Sequence, residues 1–203
     1  MQLFLNILAS SILQIVILSL LPFIWWLVTA RKKEGFFKWI GLKGCSFGKL
    51  IGPAALVLVL FLAASAVPMY MLRGTEMATS QFEGLGAAGI PAALVYAILQ
   101  TGLSEEIFFR GFLLKRIANK FGFAAGNTVQ AVLFGLLHGA GLFSQIGTVM
   151  AIIVTLLTGG AAFAFGWLNE KKAGGSILPS WCVHAVSNII ASFAALFSLM
   201  SLI

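Results

Sequence analysis

The sequence predicts an all-α protein, a polytopic membrane bundle of about six transmembrane helices, on three observations. Of its 203 residues 60% are hydrophobic and 9% charged, whereas soluble domains carry roughly a quarter charged residues. Mean hydropathy is +1.03. The apolar residues are also grouped into runs of about 20, the length that crosses a hydrocarbon core.

The six runs are 3–29, 50–72, 87–114, 122–143, 146–168 and 176–202. The first lacks a basic stretch at Met1-Gln2-Leu3-Phe4 and continues to about Ala30, longer than the apolar core of a signal peptide, so it is expected to be a retained span. Between the first two runs stand Arg31, Lys32, Lys33, Lys38, Lys43 and Lys49 against Glu34 alone. Basic loops stay on the cytoplasmic side, which places this loop inside and both termini outside. The later loops alternate in agreement. Segment 73–86 holds Arg73 with Glu76 and Glu83, whereas Lys115, Arg116, Lys120, Lys171 and Lys172 fall on the inner side. Phe36, Phe37, Trp25, Trp26, Trp39 and Trp181 are expected at the membrane interface. The 22 glycines suit close helix packing in lipid.

Composition also narrows the function classes. The net charge of +7 comes from residues flanking apolar runs, so it reads as membrane orientation and not as a nucleic-acid surface. Cys45 and Cys182 are too few for a disulfide framework, and there is no CxxC or Cys/His zinc spacing. No polar linker divides the chain, which is expected to form one membrane domain.

Charge inside the apolar runs is costly, about 2.5–3.5 kcal/mol per group, and persists mainly where it is paired or functional. The chain has six acidic residues, all Glu, and two are adjacent in Ser104-Glu105-Glu106-Ile107-Phe108-Phe109-Arg110. On a helix Glu106 and Arg110 are i,i+4 and share a face. Glu105 points about 100° away, free for a different neighbour or a water. Both histidines have helical companions: Phe134 lies one turn before His138, and Asn188 one turn after His184. Ionisable groups in membrane helices face the bundle interior, so these three helices are expected to converge on one polar pocket. Depth matches for His138 if 121–127 runs along the interface and its span begins near Thr128.

At these residues the chain resembles the CPBP family, the CAAX-protease and bacteriocin-processing membrane proteins also called Abi. The shared pattern is Glu-Glu-x-x-x-Arg, then Phe-x-x-x-His, then His-x-x-x-Asn, here Glu105-Glu106…Arg110, Phe134…His138 and His184…Asn188. The flanks Phe109-Arg110-Gly111-Phe112 and Gly175-Ser176-Ile177-Leu178-Pro179 are similar too. The resemblance runs from Ala92 to near the C-terminus. It divides the chain into 1–86, two helices with the basic cytoplasmic loop, and 87–203, a CPBP-like catalytic core.

The resemblance implies an intramembrane endopeptidase, a multi-pass protein of the cell membrane acting on a peptide or lipidated protein in the bilayer, with no nucleic-acid partner. Glu105 would activate water, as a carboxylate removed from bulk water can act as a base. His138 would position that water, and His184 and Asn188 would stabilise the oxyanion. Glu106, Arg110 and Phe134 would hold these groups in place. No cofactor is expected. The alternative is a zinc protease with Glu105, His138 and His184 as ligands, although no HExxH brings two ligands onto one turn. A non-catalytic bacteriocin self-immunity protein is a second alternative. A transporter is the third, weakened because the polar groups sit at one level. A serine or cysteine nucleophile is disfavoured: the chain has no Asp, and Cys182 and His184 are i,i+2 on a helix.

Overall fold

The computed structural model describes residues 1–72 and 74–199. Arg73 and the end of the last expected span lie outside the described residues. Among the described residues are six α-helices: α1 Gln2–Thr29, α2 Phe36–Trp39, α3 Ile51–Met71, α4 Ile90–Val95, α5 Lys115–Trp167 and α6 Leu178–Leu196. The segments Tyr96–Leu103, Glu106–Leu114 and Leu168–Lys172 are wound as π-helix. The described residues contain no strand, and the architecture is the all-α membrane bundle that composition predicts.

Three helical stretches are long and apolar enough to cross a membrane: Gln2–Thr29, Gly86–Lys172 and Leu178–Leu196, with Ile51–Ala66 a shorter apolar helix. The second has 87 residues, about 130 Å if straight, more than four times the thickness of a hydrocarbon core. Two glycines break it. Gly122 (φ 86°, ψ 162°) and Gly147 (φ 71°, ψ 173°) adopt left-handed φ values that side chains other than glycine rarely tolerate. These breaks lie at the starts of the expected runs 122–143 and 146–168. Much of the outward surface is apolar. Ile12, Leu13, Val16, Ile17 and Leu20 on α1 are all more than half exposed, as side chains facing lipid are.

The limbs 123–146 and 148–167 fold back on each other about Gly147. Asn127 donates to the carbonyl of Phe163 at 3.0 Å, and Gln130 to that of Ala162 at 2.9 Å. Further along, a Cβ added at Gly135 would come within 2.3 Å of the Thr155 carbonyl oxygen. The pairing is antiparallel, with backbones in contact through glycine as in tightly packed membrane helices. Asn127 is fully buried. An amide that would be costly in lipid is instead satisfied across the hairpin.

α1 lies along the Tyr96–Leu103 segment. Ser10 donates to Gln100 at 3.2 Å and Gln14 to Ser104 at 3.1 Å. The basic ends of the elements are stitched together. Lys115 Nζ pairs with Glu170 at 2.5 Å and donates to the Gly175 carbonyl at 2.7 Å, while Ile177 N–H donates to Gly41 at 2.9 Å. Gly41 has φ +86°, and a Cβ there would lie 2.4 Å from the Gly175 oxygen, so the contact requires glycine. Segments 36–43 and 173–177 therefore share one end of the bundle. Two expected interfacial anchors differ. Trp39 is buried with the Arg116 guanidinium 3.8 Å above its ring, and Trp181 donates from Nε1 to the Ile98 carbonyl at 2.8 Å.

Candidate active site

Glu105 stands between two π-wound segments, Tyr96–Leu103 and Glu106–Leu114, and Glu106 and Arg110 lie in the first turns of the second. Wide π turns are rare and occur often at functional sites. The sequence pattern suggests an ordinary α-helix here. The i,i+4 pair still meets: Arg110 Nη1 lies 3.2 Å from Glu106 Oε1, with both side chains fully buried.

Glu106 is the anchored acid. Besides Arg110, it accepts from the Ser180 hydroxyl at Oε2 and from His184 Nδ1 at 3.2 Å at Oε1. Ser180 is held in turn by Asn169, whose Nδ2 donates to its Oγ at 2.6 Å. Buried carboxylates persist when their lone pairs are satisfied in this way. Arg110 completes its surroundings with aromatic faces, its Cζ 4.3 Å from the Phe134 ring centroid and 5.2 Å from that of Phe165. Cation–π attraction compensates part of the desolvation of a guanidinium with one carboxylate partner.

Glu105 has a different environment. Its Oε2 is buried and has no hydrogen-bond partner among the described residues. His184 Nε2 lies 3.8 Å away, just beyond hydrogen-bond range. The His184 ring therefore lies between the two acids. Because a carboxylate accepts, Nδ1 carries the proton shared with Glu106, and Nε2 faces Glu105.

His138 reaches this group through Phe134. The rings stack with centroids 4.4 Å apart, and Phe134 meets His184 edge-on at 6.2 Å. His138 Nδ1 lies 2.9 Å from the Phe134 carbonyl oxygen. A carbonyl only accepts, so Nδ1 carries a proton; in the neutral tautomer Nε2 is then an acceptor. Asn188 is drawn the other way, its Nδ2 donating to Thr101 Oγ1 at 2.8 Å. One of its two amide protons remains for another acceptor. The Glu105, Glu106, Arg110 and His184 side chains thus form one contact group, with His138 joined by ring stacking and Asn188 one turn further along α6.

Ser180, Asn169 and Thr101 escape the sequence reading. Ser180 had a signal, since Ser180, His184 and Asn188 form one stripe at i, i+4 and i+8. Asn169 and Thr101 had none, because their partners are distant in sequence. No three His, Cys, Asp or Glu side chains are grouped to hold a metal ion among the described residues. Both Nδ1 atoms are engaged, with Phe134 and Glu106, which leaves each Nε2 as the nitrogen facing the rest of the group.

A family model described as type II CAAX prenyl endopeptidase Rce1-like matches residues 87–190. Neither the curated proteins nor the solved structures yield a match. The matched segment holds every residue of the cluster, from Glu105 to Asn188. With just over half of the chain matched, this membrane protein belongs to the type II CAAX prenyl endopeptidase Rce1-like family, a family of CAAX-type intramembrane proteases.

Proposed function

We propose that the chain is an intramembrane endopeptidase that hydrolyses a peptide bond of a membrane-associated or lipidated substrate with water activated by Glu105. The observation that carries this reading is the unequal environment of the two acids. Glu106 is saturated by Arg110, Ser180 and His184, whereas Glu105 Oε2 is buried, without a hydrogen-bond partner among the described residues, and 3.8 Å from His184 Nε2.

The chemistry balances on these groups. Glu105 takes a proton from water as the oxygen adds to the scissile carbonyl carbon, and the carbonyl oxygen becomes an oxyanion. His138 Nε2, an acceptor in the neutral ring, orients the second water proton. The free amide proton of Asn188 stabilises the oxyanion. His184 is the second donor to the oxyanion when Nε2 carries a proton, with the Glu106 carboxylate at Nδ1 to balance the charge. The tetrahedral intermediate collapses as the C–N bond breaks, and Glu105 returns its proton to the leaving amine. Glu106, Arg110 and Phe134 fix the geometry, and no cofactor takes part. The bilayer of residence is the cell membrane.

Purified protein in nanodiscs, supplied with quenched fluorescent peptides with and without a farnesylated cysteine, tests the reading. Wild type is expected to cleave after exhaustive chelation, and Glu105→Gln to lose turnover while keeping its fold. Full turnover by Glu105→Gln overturns the assignment. Stoichiometric zinc, with activity lost on chelation and restored by zinc, replaces the glutamate mechanism with a metal one.

A further inference from the structure

Among the described residues a cavity of about 510 Å³ lies between α3, the 148–167 limb and α6, beside the 74–83 loop. Glu105, His138, His184 and Asn188 do not line it. It is nevertheless built on the helix faces that carry the site. Along α6, His184, Asn188, Ala191 and Ala195 follow at i, i+4, i+7 and i+11, a single helical stripe. The first two belong to the site and the last two line the cavity. Ala191 stands about 10 Å beyond His184 along the helix. On the facing wall, Phe61 packs on Phe165 with ring centroids 6.4 Å apart, and Phe165 lies 5.8 Å from the His184 ring. The Phe61–Phe165 pair thus links a wall of the cavity to the His184 ring.

The two ends of the bundle differ in how they are sealed. At the basic end, Lys115 bridges Glu170 and Gly175, Ile177 is bonded to Gly41, and Ser176 Oγ donates to the Lys43 carbonyl at 2.6 Å. At the other end exposed Gly74, Glu76 and Glu83 border the cavity. Its deeper wall is apolar, with Phe61, Leu72, Val154 and Leu157, and its rim carries hydroxyls such as Thr75 and Thr79. An apolar recess with polar groups at its mouth accepts an extended peptide with apolar side chains, whose backbone amides find partners at the rim.

We propose that this cavity is the route by which the peptide substrate reaches Glu105 and His184, entering beside the 74–83 loop and running along the α6 stripe. This rests on the protease reading above. The substrate class it names is an extended apolar peptide segment presented on the face opposite the basic loops.

The test blocks the cavity chemically. Ala194, which lines it, is replaced by Cys in protein with Cys45→Ser and Cys182→Ser, and Thr158→Cys provides a second site on the facing limb. A bulky thiosulfonate then modifies the thiol, with mass spectrometry reporting completeness. Lys32→Cys, exposed in the basic loop, is the control. Binding of a fluorescein-labelled apolar peptide is read by anisotropy in the Glu105→Gln background, so the answer does not depend on turnover. Modification at 194 or 158 is expected to weaken binding about tenfold or more, the equivalent of 1.4 kcal/mol. Reduction should restore it, and modification at 32 should have no effect. Unchanged affinity with either cavity thiol fully modified, as lateral access from lipid requires, overturns the proposal. So does loss of binding on modification at 32. Cleavage by the Glu105-containing enzyme judges the protease reading separately.

Discussion

Glu106→Gln and Glu105→Gln make the same chemical change on neighbouring residues, yet they are expected to act on different properties. Glu106 is the acid paired with the fully buried Arg110, at 3.2 Å. Its removal leaves a guanidinium with no carboxylate partner and three nitrogens already lacking a hydrogen-bond acceptor. Breaking a buried pair from one side costs about 3–5 kcal/mol. Phe134 and Phe165 still face the cation, and cation–π attraction of up to about 2 kcal/mol keeps the loss near the lower end, about 3 kcal/mol. For a chain of this length that corresponds to a fall in Tm of about 6–12 °C. Glu105 offers its Oε2 no hydrogen bond to lose, so Glu105→Gln is expected to change stability by about 1 kcal/mol or less while abolishing turnover. Thermal unfolding of both variants in one detergent, followed by fluorescence-detected size exclusion, gives the comparison. Equal Tm values for Glu106→Gln and wild type, or a larger loss in Glu105→Gln, would refute the division of roles.

Other expectations follow from single contacts. Asn188→Ala is expected to lower turnover by about 10²–10³-fold, the loss typical of one oxyanion donor, with peptide affinity retained; steady-state kinetics beside anisotropy will separate the two. Gly135→Leu drives a side chain into the Thr155 carbonyl and should cost about 1–3 kcal/mol by overpacking, visible as a lower Tm, whereas Gly160→Ala has open space and should be neutral. Single cysteines in the 31–49 loop of intact cells are expected to resist an impermeant maleimide, while those in the 74–86 loop react; the opposite pattern reverses the orientation.

The fold class was legible because the solvent selects so strongly. Lipid tolerates backbone only with its hydrogen bonds closed, so apolar runs of sufficient length become helices. Breaks between helices were legible where glycine marks them: the expected runs begin at 122 and 146, and the observed breaks fall at Gly122 and Gly147. What lay hidden was the partner of each helix. Asn127 beside Thr128 looks like a polar boundary in sequence, and its true acceptor, the Phe163 carbonyl, is 36 residues away. Trp39 reads as an interfacial anchor because hydropathy does not show that Arg116 covers it.

In the site, spacing revealed the Glu106–Arg110 pair and the stripe from His184 to Asn188, since both are local to one helix. It did not reveal that His184 would bridge the two acids, because that contact spans 78 residues. The bridge also tightens the argument for which acid is reactive. Helical rotation alone says that Glu105 and Glu106 face different neighbours. The structure adds that Glu106 collects Arg110, Ser180 and His184, with Asn169 behind the serine. A carboxylate so occupied can neither turn toward a water nor take up its proton without breaking contacts on two helices. Glu105 faces the far nitrogen of the same imidazole at 3.8 Å, and its Oε2 has no hydrogen-bond partner among the described residues. The network therefore fixes His184 and leaves Glu105 available, which is the asymmetry a general base beside an oriented imidazole requires.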